Sequence, residues 1–498
     1  MDMETVLRAV GTSGRFQIVV VLVTQAARVS AIWSLFFITF GIYEPPWHCD
    51  NDASSNATSP WTNGSEVITN NSCDVIDSCD VKFQEGSSTL VTEWRLVCDQ
   101  TWVSTTLATI QMVGVTLGAV IGGQTGDLFG RKLSMYGYTL ILSIANIAII
   151  FSPSWEVYAA IVFIIGICIS GIFPIAFVYA VEFLGPRGRD VLTALPIWNA
   201  AVGSLGVLTF FIRNWKHLHL ITGVYSGIVF LSVFWTPESL RWLYAHGKIE
   251  EAHAVAKKIG HVNGREVPDF ELLNNAEKDT TGEKVVSRKY TYLDLFKNRR
   301  IALLVVKVVL IMFTSNLAYL FFALGVKVFS GDFYVNFMLY SLAEIPIVLV
   351  VALVMRFLQR RHGCMFLLSV ACLSCLLILA IFYTVEDESA RGTAITALGL
   401  IAKSFIQGFC QISNVLNAEL FPTVLRGLTI GLMVTAANIG GVIAPVLIPQ
   451  NPGFFPITFS ILTAALLVSI LMVWLLPETK NRPLEDVTVS KSSEKHPS

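Results

Sequence analysis

The chain has 498 residues, 54% of them apolar and only 14% charged, with a formal net charge of -1. Soluble domains carry roughly 25% charged residues, so a soluble body of this size would lack the charge to cover its surface. No basic stripe or tail is present, which argues against a nucleic-acid partner.

The apolar residues come in runs of about 20, the length that crosses about 30 Å of hydrocarbon. In chain order these runs predict spans at 18–42, 103–123, 134–151, 156–179, 191–212 and 218–236, then at 301–323, 333–355, 364–384, 393–415, 427–448 and 454–476. Backbone in lipid has to satisfy its own hydrogen bonds, so each span is expected to be a helix. The expected fold class is an all-α membrane protein with twelve transmembrane helices. The first run is too long for a signal peptide, lacks a small-residue cleavage site and contains Arg28. With the N-terminus inside, most of the 35 Lys and Arg fall on the inner side. The positive-inside rule then puts both termini in the cytosol.

The segment 43–102 is expected to be a large outer loop. It carries N-x-Ser/Thr acceptor sites at Asn56, Asn63 and Asn70, and it holds Cys49, Cys73, Cys79 and Cys98. An oxidising outer face allows two disulfides among these four, in any of three pairings. The other five cysteines lie in or beside spans and read as packing residues.

The spans divide into two bundles, 18–236 and 301–476, joined by a cytosolic linker 237–300 and flanked by an N-terminus 1–17 and a tail 477–498. The halves echo each other. Glu182 and Glu419 are 237 residues apart, and Pro237 and Pro477 of "TPES" and "LPET" are 240 apart. Near-equal offsets indicate a duplicated six-helix unit, an architecture that rocks about a site near the midplane. The stretch "IEEAHAVAKK" reads as a solvated amphipathic linker helix, and the tail as disordered.

The turn "GGQTGDLFGRK" between spans 2 and 3 resembles the major facilitator signature. Gly123, Gly126 and Gly130 would permit close helix approach and a tight turn. Asp127 and Arg131 place opposite charges at the inner mouth, where they can latch a gate in one state and release it in the other. Leu128 stands where the signature usually has Arg. The equivalent turn "RRHGCM" keeps Arg360, Arg361 and Gly363 but no acid, so its latch is expected to be degenerate. Glu182 with Arg187 and Arg189, and Glu419 with Arg426, would extend the gate into an ionic network or serve as helix-end charges.

Longer stretches resemble one family, the organic cation, organic anion and carnitine transporters (solute carrier family 22). They are "VLRAVGTSGRFQ", "TEWRLVCDQTW", "PESLRWLYAHGKIEEA", "YTYLDLFKNRR", "NAELFPTVLRG" and "LPETKNRPLED". "NAEL" and "NIGG" look closer to the cation branch. The resemblance implies two pseudo-symmetric six-helix bundles, a plasma-membrane glycoprotein that acts as a monomer, and secondary transport of a small organic cation or zwitterion by alternating access, carnitine being one such solute.

Charges inside lipid cost about 2.5–3.5 kcal/mol each on insertion scales. Arg28, Glu344 and Lys403 are the clearest; Lys307, nearer a span end, is expected to snorkel. Glu344 would attract a cationic group, or pair with Lys403 or Arg28 to hold the bundle. By resemblance, Phe173, Phe313 and Tyr319 align with cavity-lining aromatics, with Trp198 as a neighbour; ring faces attract positive charge. Gln407, one turn from Lys403, would hydrogen-bond the solute. By the same resemblance, Asn438 occupies the place where cation-handling relatives carry an acid and anion- or carnitine-handling relatives carry Arg, so the charge preference is unstated there.

An organic anion or sugar-type transporter on the same fold, or a solute receptor that does not transport, are the competing readings. A sugar transporter would have a short first outer loop and a Gln-rich span 7, and this sequence has neither. No His-Glu-x-x-His motif and no Cys/His cluster with metal spacing occurs, so no enzyme, metal or cofactor is expected.

Overall fold

A computed structural model describes residues 11, 14–50, 73, 80–83, 86–185, 188–189, 192, 196–265, 294–421, 423–449 and 452–478. The first half holds α1 (Arg15–Gly41), α2 (Thr101–Phe129), α3 (Arg131–Ala148), α4 (Trp155–Phe183), α5 (Ile197–Phe211) and α6 (Trp215–Leu231). The second holds α7 (Arg299–Leu324), α8 (Phe333–Phe357), α9 (Arg360–Thr384), α10 (Glu388–Leu420), α11 (Thr423–Leu447) and α12 (Phe455–Trp474). Eleven described helices are long and apolar enough to cross a membrane. The fifth, α5, has 15 residues, about 22 Å at 1.5 Å per residue, and starts directly after Pro196.

The chain is not wholly α-helical. Between α1 and α2, Trp47–Asp50 and Asp80–Phe83 pair as an antiparallel two-stranded sheet. Cys73 and Cys98 form a disulfide. Cys79, Asn56, Asn63, Asn70 and the side chain of Cys49 lie outside the described residues. The loop is tied down at its end. Ser88 exchanges backbone hydrogen bonds with Arg213 and Trp215, at 2.9 and 3.1 Å, and Lys216 forms a 2.7 Å ion pair with Glu93. This end of the molecule is called the loop face below, and the opposite end the linker face.

Close packing in the first half rests on a glycine stripe. A Cβ at Gly114, Gly118 or Gly122 of α2 would strike, in turn, the Phe163 carbonyl, the Ile167 carbonyl and the Gly171 backbone of α4. Spacing of four residues puts all three on one helix face. The sequence reading named Gly123 for this role, but Gly123 faces open space; the periodicity selects its neighbour. In the second half Gly440 of α11 abuts the Phe313 carbonyl of α7 in the same way.

The linker helix, Ile249–Asn263, is less solvated than its composition suggests. Ala252, Ala256 and Ile259 are fully buried. Its last residue is clasped by the N-terminal segment: Phe16 N donates to Asn263 Oδ1 at 3.2 Å, and Asn263 Nδ2 donates to Gln17 Oε1 at 3.0 Å. The amphipathic pattern therefore marks a docked face rather than a free helix.

Candidate functional site

The α8 helix is broken where the site lies. Pro346 has no N–H to give to the carbonyl of Leu342, four residues back, and the helix is interrupted at Ala343, whose backbone stays in the right-handed helical region. The break delivers Glu344 to the centre of the bundle, completely buried, beside the almost completely buried Lys403 of α10. Lys403 Nζ lies 3.0 Å from Glu344 Oε1 and also donates to the carbonyl of Tyr340 at 3.1 Å. Lone carboxylates and ammoniums are costly away from water, and here each answers the other. Of the two readings the sequence left for Glu344, the structure shows the pairing with Lys403.

The pair continues across the seam between halves. Tyr319 of α7 donates its hydroxyl to Glu344 Oε1 at 3.1 Å, and Trp198 of α5 donates Nε1 to that hydroxyl at 2.8 Å. One residue on, Asn199 Nδ2 donates to the Glu344 carbonyl at 2.8 Å. Trp198 is packed between Phe36 and Phe173, with both ring centroids 5.7 Å away. Arg28 of α1 stands 5.5 Å from the Phe173 ring. Arg28, Phe173, Trp198, Tyr319, Glu344 and Lys403 therefore form one continuous layer.

Three expected residues stand apart from it. Phe313 has no aromatic partner among the described residues and contributes its backbone to the α7–α11 contact. Gln407 is buried and makes no side-chain hydrogen bond to a described residue. Asn438 keeps a buried Nδ2 without a partner. Lys307 donates to the Leu475 carbonyl at the end of α12, at 2.9 Å.

Toward the loop face the halves close on aromatic rings. Tyr43 stacks on Phe333 at 4.1 Å, Phe40 meets Phe337 at 4.3 Å, and the Arg213 guanidinium lies 4.7 Å from the Tyr334 ring centre. Burial, with the nearby Asp332 carboxylate, pushes the Tyr43 phenol up, against the pull of Arg213.

At the linker face Asp127 accepts from Arg131, whose Nε also lies 3.3 Å from Glu182 Oε1. Of the expected charges, Asp127, Arg131 and Glu182 thus meet in one cluster. Gly130 allows it: its φ is +100°, a region that L side chains rarely adopt. The second half is less degenerate than its turn implied. Arg360 lies 3.6 Å from Glu419, repeating the Arg131–Glu182 pair and lacking only the Asp. Arg189 donates to the Val181 carbonyl at 3.3 Å, while Arg187 and the side chain of Arg426 lie outside the described residues.

The repeated "PE" pairs have a role that the sequence did not reveal. Glu238 accepts from Lys132 N, at 3.0 Å, at the start of α3; Glu478 accepts from Arg360 N and Arg361 N, at 3.0 and 3.1 Å, at the start of α9. Each carboxylate caps the positive end of a helix more than 100 residues away in sequence. The near-equal offset of the two motifs was the available signal.

The duplicated halves, the charged turn and the central layer fit a membrane transporter, and comparison with known proteins names the family. The sugar (and other) transporter family model matches residues 53–490. The chain belongs to that family and, within the major facilitator superfamily, to solute carrier family 22. Solute carrier family 22 member 6-A of Xenopus laevis is 29% identical over 87% of this chain and 76% of its own length. Human solute carrier family 22 member 13 is 26% identical over 99% and 93%. Human organic cation/carnitine transporter 2 is 27% identical over 80% and 71%. Among solved structures, a D-xylose-proton symporter superposes with a TM-score of 0.64 at 14% identity, covering 95% of this chain and all of that one. At that identity the likeness speaks for the fold alone.

Proposed function

We propose that this chain is a secondary transporter that moves a small organic ion across the plasma membrane by alternating access, with a zwitterion favoured over a simple cation. The observation that carries the reading is the hydrogen-bonded chain Trp198–Tyr319–Glu344–Lys403, which ties the two halves together in the middle of the bundle. Rocking the halves apart must stretch or break it, so a solute that competes for Tyr319, Trp198 or the Glu344 carboxylate would couple its own binding to that motion. Glu344 Oε2 is buried without a partner and remains available for such competition. The pairing of Glu344 with Lys403 supports the zwitterion, since it leaves no uncompensated acid for a cation.

Lys and Arg placement supports a cytosolic linker face with both termini inside, and an outer loop face glycosylated at Asn56, Asn63 and Asn70. The aromatic closure at the loop face would then be the outer gate, and Asp127, Arg131, Glu182, Arg360 and Glu419 the inner one. Purified chain in proteoliposomes tests the reading, with cationic, zwitterionic and anionic probes and with sodium and membrane potential varied. Accumulation or counterflow of an organic ion is expected. Binding without accumulation or exchange for every probe would leave a receptor instead.

A further inference from the structure

On the first half of the bundle, two neighbouring side chains each keep one buried donor atom without a partner among the described residues. Arg28 sits at the centre of α1, its guanidinium 5.5 and 5.9 Å from the Phe173 and Phe177 rings of α4. Its hydrogen bond to the protein runs from Nη1 to Gln25 Oε1, at 3.0 Å, one turn back. Its Nε is buried without a partner. Gln25 is 6% exposed. Having turned its oxygen to Arg28, it leaves Nε2 buried and unpartnered as well. Arg28 forms no ion pair among the described residues.

An arginine that only pinned α1 to α4 would be expected to have its donors answered, because an unmade hydrogen bond from a buried group costs the full desolvation of that group. The rings of Phe173 and Phe177 hold the guanidinium in place by its charge but accept no hydrogen bond in its plane. What is missing is an acceptor with a negative charge. The guanidinium edge matches the two oxygens of a carboxylate, and Gln25 Nε2 supplies a further donor beside it. A single charge is the better fit: a monocarboxylate neutralises Arg28, whereas a dianionic phosphate would leave a buried net negative charge with only one cation to meet it. The other central cation, Lys403, is already matched by Glu344.

We propose that Gln25 and Arg28 form a carboxylate subsite on the transport path, so that the solute is a monocarboxylate, zwitterionic or anionic, whose apolar body lies along Phe173 toward Trp198. The proposal rests on the transport reading for its place in a cycle, but binding at the subsite does not require transport.

The test uses three probes on one skeleton: 3-phenylpropanoic acid, its primary amide and 3-phenylpropylamine, with phenylalanine as the zwitterion. Binding is read as ligand-induced thermal stabilisation of the purified full chain, and transport as counterflow in proteoliposomes. The wild type is expected to bind the acid or the zwitterion about tenfold or more tightly than the amide and amine, in keeping with a charge-assisted hydrogen bond. Gln25→Leu and Arg28→Ala should erase that preference, and Arg28→Lys should keep part of it. Should Arg28→Ala fail to fold, Gln25→Leu and Arg28→Lys decide the matter. Binding of both carboxylate probes no tighter than the amide by the wild type, no binding of either carboxylate probe, or an undiminished preference in Gln25→Leu and Arg28→Lys would overturn the subsite. Carboxylate binding that depends on Arg28 without any counterflow would leave the subsite standing and remove the transport reading.

Discussion

In the second half of the molecule the central cation, Lys403, is sealed against Glu344 and a backbone carbonyl. In the first half the central cation, Arg28, has a glutamine, two aromatic rings and, among the described residues, no carboxylate. The same duplicated architecture thus treats buried charge in two ways. One half has closed its charge into a structural pair that also reaches across the seam. The other keeps its charge for something that is not part of the chain. On the readings proposed above, the matched pair would serve coupling and the unmatched charge selection.

The largest effect should come from unmatching the matched half. Glu344→Gln leaves Lys403 buried without its counter-ion, and breaking a buried pair by removing one partner costs about 3–5 kcal/mol. A sharp loss of folded protein and of thermal stability is expected, with much of it recovered in the double variant Glu344→Gln/Lys403→Met. A single variant as stable as wild type would mean that the pair does not hold the second half together.

Next comes the glycine stripe. Gly118→Val forces side-chain atoms into the Ile167 carbonyl and should cost about 1–3 kcal/mol by overpacking, measured as a lower unfolding midpoint in detergent. Gly123→Val, one residue beyond the stripe's last member and facing open space, is the control and should be close to neutral.

A smaller effect is expected from Tyr319→Phe, which removes the hydroxyl linking Trp198 to Glu344. It should cost about 1 kcal/mol of stability yet change exchange rates disproportionately. Exchange kinetics that track stability alone would show the link to be packing only. The smallest effects belong to the linker face. Arg131→Gln loses two carboxylate partners and Arg360→Gln loses Glu419. Each partly exposed pair is worth about 1 kcal/mol or less, so transport assays should separate them better than melting. Arg131→Gln is expected to impair transport more. Equal impairment would mean that the missing acid of the second turn makes no difference.

Much of the fold could be read from the sequence because hydropathy is a run-length property, and the runs were long. It fails at helix ends. α2 continues to Phe129 and α10 begins at Glu388, beyond their apolar runs, since helical hydrogen bonding does not stop where lipid does. The site was legible where charges stood out against apolar sequence, as with Arg28, Glu344 and Lys403, but their pairing required the third dimension. Gln25 went unnoticed because a lone uncharged amide in a span carries little signal. Glu238 and Glu478 were visible only as repeat markers, since the helix ends that they cap lie far away in sequence.

The contact between α2 and α4 has a mechanical consequence. Two helices that meet backbone to backbone have no compressible side-chain layer between them and so behave as a stiff beam. At one end of that beam sits the Asp127–Arg131 turn; toward the other, Met112 lies beside Gly441 of α11. A displacement at the turn would therefore reach the far seam undamped, as the stroke of a lever rather than the spread of a wave.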